Sequence, residues 1–275
     1  MIRDFFKLVQ FDLYKIYRKR YILVFWIICI VYLSLSCVMK QYRNNTITDI
    51  IAVLQMNEGF GIVITCIVGI FLALFIFIEK DNCISVYMRV NSKRKWMLSK
   101  VVSIIWVNMM LFLCFFIITS IIGIIYGEPT FKLSVDFGEQ IGGEYIYMSA
   151  YPIYKIVLVN AIVFITFTSS LGFIAGWIYI KCNKAYVGIS IVIFYLLSSC
   201  AVTLWSFTNP ILRYFNAMNY ISLGSRNFYN TINETQYFTE GQVVCYTSCF
   251  MIIVIIYLIV RAKSIKCQIG KNVNE

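Results

Sequence analysis

A chain of 275 residues that is 60% hydrophobic and 17% aromatic, yet only 13% charged, carries too little charge to coat a soluble domain and belongs in a membrane. Its 24 Lys and Arg against 13 Asp and Glu give a net charge of +11, but the cations cluster beside apolar runs, so they read as topology signals and lipid-headgroup partners rather than as a nucleic-acid surface. Histidine is absent, which excludes histidine-based catalysis, histidine metal sites and histidine proton relays together.

In chain order, residues 1–20 lack the apolar core and small-residue cleavage site of a signal peptide. On a helical wheel Phe5, Phe6, Val9, Leu13, Ile16 and Tyr17 share one face, and Lys7, Lys15, Arg18 and Lys19 lie opposite, with Phe11 interrupting the polar side. This predicts an amphipathic helix in the inner headgroup layer, apolar face down and cations toward lipid phosphates. Residues 21–38 are uncharged and just long enough to cross a hydrocarbon core of roughly 30 Å. A short polar outer segment follows over 40–59, with Asp49 and Glu58.

Residues 60–78 return inward, 79–100 form a basic loop, and 101–126 go out again, long enough to tilt. The outer segment 127–152 sets Glu128, Asp136, Glu139 and Glu144 against Lys132. The fourth span, 156–180, carries Thr166, Thr168, Ser169 and Ser170, then Gly172 and Gly176 at a spacing that lets another helix approach closely. A tight inner turn at 181–184 leads to the fifth span, 185–204. In the long outer segment 205–242, residues 211–223 are apolar enough to dip into the outer leaflet; the sixth span, 243–260, precedes a basic tail, 261–275.

The arrangement places 18 of the 24 Lys and Arg on the inner side. A bias that follows every alternation predicts an all-α polytopic membrane protein, with six transmembrane helices preceded by an interfacial helix and both termini cytoplasmic. The units are then 1–20, the interfacial helix; 21–260, the six-helix body; and 261–275, a cytoplasmic tail.

The loop 79–100 holds six cations, Lys80, Arg89, Lys93, Arg94, Lys95 and Lys100. Its middle, 82–90, has no Pro or Gly and mixes Ile84, Val86, Tyr87 and Met88 with polar residues. It reads either as a short surface helix offering a face to a cytoplasmic partner or as a solvated loop that obeys the positive-inside rule. The ten cysteines contain no CxxC pair and read as small apolar residues. The spans as drawn contain no Asp, Glu, Lys or Arg, which argues against an ion-coupled carrier. Neither an HExxH motif nor a P-loop GxxxxGK[ST] occurs. The expectation is a non-catalytic protein with no metal site and no cofactor of its own, whose energy comes from a partner or whose transport is passive.

The order of parts resembles the permease subunit of a type-2 ABC transporter. Such permeases begin with an amphipathic helix, matched here by residues 4–19, and have six spans. After their second span come an acidic residue, a coupling helix, a Ser-Arg-like pair and a Lys that opens the third span. Here stand Glu79, then 82–90, then Ser92-Lys93-Arg94, then Lys100; Asn82-Cys83 and Val90-Asn91 take the places of the small residue and the proline common in the family. A partly re-entrant segment before the sixth span is matched in placement by 211–223.

The resemblance implies an ATPase-coupling surface formed by Glu79, Asn82, Ile84, Tyr87, Arg89, Ser92, Arg94 and Lys100. It also implies a separate P-loop ATPase subunit that holds ATP and Mg, and a second permease copy or a paralogue completing the path in a bacterial cell membrane. Size and long outer loops look most like the subfamily that protects bacteria from lantibiotics and related peptides. The alternative from another class is an ATPase-independent channel, sensor or scaffold.

Overall fold

The computed structural model describes residues 2–17, 30–31, 46–56, 59–78, 92–129, 153–182, 184–201, 214–217, 220 and 240–262. The expected first span (apart from 30–31), the loop from 79 to 91, most of both long outer segments and the tail beyond 262 lie outside them. Of the described residues 94% are helical, and none forms a strand. The helices are α1 (Ile2–Tyr17), α2 (Ile47–Met56), α3 (Gly59–Phe77), α4 (Lys93–Tyr126), α5 (Ile153–Cys182), α6 (Ala185–Ala201) and α7 (Glu240–Arg261).

Three stretches are long and apolar enough to cross a membrane: Lys93–Tyr126, Val157–Cys182 and Gly241–Arg261. The spans drawn at 101–126, 156–180 and 243–260 each fall on one of these. Those drawn at 60–78 and 185–204 fall on α3 and α6, whose apolar stretches Ile64–Phe77 and Ala185–Ser199 are shorter. The chain is a helical membrane protein.

α5 is the axis of the bundle. It packs against α3, α4, α6 and α7, and 61% of its most apolar window is buried, against 17% for α7. Both values follow from composition. α5 carries small residues (Ser169, Ser170, Gly172, Ala175 and Gly176) that admit neighbours on several sides. α7 presents Ile252, Ile253, Ile256 and Val260 outward, as a lipid-facing helix does.

α4, with 34 residues, is about 51 Å long at 1.5 Å per residue. It therefore outreaches a hydrocarbon core of about 30 Å at one or both ends. At its amino end the helix starts at Lys93, eight residues before the drawn span, so Lys93–Lys100 are helix rather than loop. At the opposite end it meets α2.

α2 corrects the expectation of a polar outer segment over 40–59. Ile47–Met56 is a helix, and Asp49 is wholly buried at its start. The Thr46 N–H donates to Asp49 Oδ2 at 3.0 Å, and the Asp49 N–H donates to Thr46 Oγ1 at 3.1 Å. This reciprocal pair satisfies two of the donors that a helix start leaves open. The Ile47 N–H reaches the Glu128 carbonyl at 3.2 Å, tying the start of α2 to the end of α4. Asp49→Ala is expected to cost about 1 kcal/mol, read as a lowered Tm in detergent, whereas Asp49→Asn keeps the acceptor and most of the stability.

Candidate functional site

The end of the bundle that the basic loop enters is built on a buried ion pair. Lys100 Nζ donates to Asp12 Oδ1 at 2.7 Å, and both side chains are at most 2% exposed. Ser103 Oγ, one turn further along α4, donates to the other carboxylate oxygen at 3.4 Å. The Lys100 ammonium also lies 5.4 Å from the centre of the Trp96 ring. Lysine and carboxylate survive burial because each supplies what the other lost on leaving water, and the hydroxyl and the ring face add to it.

This geometry revises two expectations. Lys100 is not an exposed part of a coupling surface, because its amine points into the protein at Asp12. The buried stripe of α1 is Val9, Asp12 and Ile16, while Phe6 and Tyr17 are exposed. α1 is thus packed against α4 and α3 rather than resting its whole apolar face on lipid. The physical reason is spacing: Asp12 sits three residues after Val9 and four before Ile16, in the middle of the face that turns inward.

From this pair a run of contacts crosses the bundle. The Trp96 ring meets Phe77 of α3 edge-on, with centroids 6.4 Å apart. The Phe77 ring lies against Gly176 of α5, in the space a Cβ would fill, and Gly172 lies against Ala73 in the same way. On another side of α5, Gly188 of α6 rests on the Ala175 carbonyl. Nearby, Trp177 and Tyr257 join α5 to α7 edge-on at 5.7 Å, with Lys181 and Arg261 over their rings. Aromatic rings capped by cations are the composition of a membrane–water boundary.

Of the other residues expected at the coupling surface, Ser92 precedes α4 with extended backbone, and Arg94 is exposed on its first turn. Glu79, Asn82, Ile84, Tyr87 and Arg89 lie outside the described residues.

Midway along α4 and α5 the core is polar. Asn108 Nδ2 donates to Ser169 Oγ at 3.0 Å, and Thr168 Oγ1 donates to Cys66 Sγ at 3.3 Å. Thr166 and Ser170 return their hydroxyls to carbonyls one turn back, at Ile162 and Thr166. The Asn108–Ser169 and Thr168–Cys66 bonds cross from α4 and α3 to α5 and fix the register of three helices without any charge.

A cavity of about 400 Å³ lies beside this layer, between α5, α6, α7 and the side chains of Tyr214, Phe215 and Tyr220. Phe167 and Leu171 of α5, Tyr195 of α6, Tyr246 and Phe250 of α7, and Tyr220 form much of its wall. Two of the hydroxyls are turned to backbone: Tyr195 Oη donates to the Phe215 carbonyl at 2.9 Å and Tyr220 Oη to the Tyr214 carbonyl at 2.8 Å. Residues 214–220 fall inside the stretch 211–223, singled out as apolar, but the rings that shape the cavity carry no sequence motif.

Among the described residues no group of three or more metal-ligating side chains converges. No protein-family model matches the chain, and no curated protein matches it either.

Proposed function

We propose that the chain is the transmembrane subunit of an ATP-driven ABC exporter in a bacterial cell membrane. With a second permease copy or a paralogue it forms the path for a membrane-active substrate, a cationic antimicrobial peptide of the lantibiotic kind. A separate P-loop ATPase subunit, holding ATP and Mg, drives it through residues 79–100. The observation that carries this reading is the buried Asp12–Lys100 pair. It joins α1 to α4 seven residues after the helix emerges from the basic loop, where Trp96, Phe77 and Gly176 extend the contact to α3 and α5. A push on the loop is therefore delivered to α1, α3, α4 and α5 as one body, as switching between two packings requires.

The core next to α5 suits such a cargo better than an ion. An amphipathic peptide leaving the bilayer for these hydroxyls and rings exchanges one apolar environment for another, whereas a bare inorganic ion would lose hydration that nothing there replaces. Expression together with the ATPase in a sensitive host should raise survival against lantibiotics and leave sodium tolerance unchanged. Tyr87→Pro should abolish that protection while membrane insertion stays at the wild-type level, because proline removes a backbone donor and breaks a short helix. Protection against sodium alone, or full peptide protection by Tyr87→Pro, would refute the proposal.

A further inference from the structure

We infer that the cavity between α5, α6 and α7 is a binding site for one alkyl chain of a bilayer lipid. At about 400 Å³ it is as large as many ligand sites. Two of the four tyrosine hydroxyls in the wall, those of Tyr195 and Tyr220, are bonded to backbone carbonyls, and Thr247 Oγ1 donates to the Val243 carbonyl at 2.9 Å. With these three donors engaged and the rest of the wall chiefly apolar, it gives a water molecule few of the two to four partners it needs, so the space is dry.

A dry space of this size would forfeit the dispersion contacts of every atom around it unless an apolar group entered. Closing the wall inward is resisted, because its rings are held. Phe167 stacks on Tyr220 with centroids 5.6 Å apart, and Tyr214 meets Tyr246 edge-on at 6.2 Å.

The position of the mouth selects the occupant. Ile191 of α6 and Phe250 of α7 line the cavity and are also 50% and 39% exposed, so the opening faces outward between two helices that both pack on α5. The outward faces beside it carry Phe194 and Leu197 on α6 and Ile253 on α7, all exposed, which is a lipid-facing surface. What lies at that mouth is hydrocarbon, and an unbranched flexible chain is the form of hydrocarbon that enters a side opening without bringing a polar group with it. The site depends on the membrane reading alone and stands whether or not the chain is an exporter.

The test uses the full-length protein reconstituted in vesicles of phosphatidylethanolamine and phosphatidylglycerol, then extracted and weighed by native mass spectrometry. One retained lipid per chain is expected. Ile191→Trp should lower the retained fraction by at least about tenfold, while Leu113→Trp, on the exposed face of α4, which gives no residue to the cavity wall, should leave it unchanged. Ile191 is half exposed, so the larger ring enters the mouth without crowding the core.

An independent measurement places the sole tryptophan at position 250 (Phe250→Trp, the five native tryptophans replaced by phenylalanine) and follows its fluorescence against lipids brominated on the chain. Saturable quenching beyond that of a tryptophan at position 253 is expected. Retention of lipid by Ile191→Trp at the wild-type level, absence of a retained lipid on the wild-type protein, or equal quenching at 250 and 253 would each overturn the inference. A lipid retained by its headgroup alone would survive Ile191→Trp and counts among the overturning results.

Discussion

Lys100→Met will destabilise the protein by about 3–5 kcal/mol, the cost of leaving one charge of a buried pair uncompensated. Asp12 is 1% exposed, and without the ammonium its carboxylate keeps only the 3.4 Å bond from Ser103 among the contacts described above. Asp12→Leu should be severe for the mirror-image reason. The double variant Asp12→Leu/Lys100→Met should recover most of the loss, because two apolar side chains of similar bulk need no solvation and fill the same space.

Thermal unfolding in detergent measures this directly when Cys66 is the only cysteine left. Its thiol is fully buried between α3 and α5 and becomes open to a maleimide dye only when the bundle separates. Equal losses for the single and double variants would mean that the uncompensated charge is not what destabilises the single variants. The double variant also separates stability from coupling. If α1 must be held to α4 for the loop to move both, apolar packing should do this as well as charge, and peptide protection should return with stability.

The helical class and the long apolar stretches were legible because burying a backbone in lipid demands runs of apolar side chains, and composition records that demand over many residues. The bases of α1 and α4 were only half legible. Val9 and Ile16 mark an inward face, and Asp12 between them is the signal that this face meets a partner cation, but sequence spacing cannot name a partner 88 residues away. Lys100 was read with the loop because it ends a run of cations; the helix instead starts at Lys93, and the lysine's long stem brings its amine to Asp12.

α2 was missed because Thr46 and Asp49 look like ordinary polar loop residues until their side chains are seen to cap each other's backbone. Its apolar residues, Ile47, Ile50 and Ile51, carry the periodicity that would have revealed it. The aromatic cavity was illegible for a different reason. Phe167, Tyr195, Tyr220 and Tyr246 come from four separate stretches, and aromatic residues are common throughout this chain. Only the fold brings them to one wall.

Gly176→Val will force α3 and α5 apart, and its effect should depend on a single neighbour. The Phe77 ring occupies the space where the Cβ of residue 176 would stand, and the ring is itself held by Trp96 on the other side. Phe77 and Ala175 are both within 2% of complete burial, so neither the ring nor the helix has free space to retreat into. Inserting a branched side chain into such packing costs about 1–3 kcal/mol or more. The alternative is to lengthen the interhelical distance and weaken the Thr168–Cys66 bond two turns away.

Phe77→Ala by itself should cost about 3–5 kcal/mol through the lost ring and the cavity left behind. Combined, the two changes should be far from additive, since valine at 176 partly fills the volume the ring vacates and the ring is no longer there to clash. The same Cys66 unmasking assay reads all three variants, with Gly241→Val as the control, because a Cβ at Gly241 meets nothing within 4 Å. Strict additivity of Gly176→Val and Phe77→Ala would show that the close approach of α3 to α5 does not rest on this contact. Sub-additivity of about 1 kcal/mol or more would locate there the joint through which α4, by way of Trp96 and Phe77, is rigidly attached to the central helix.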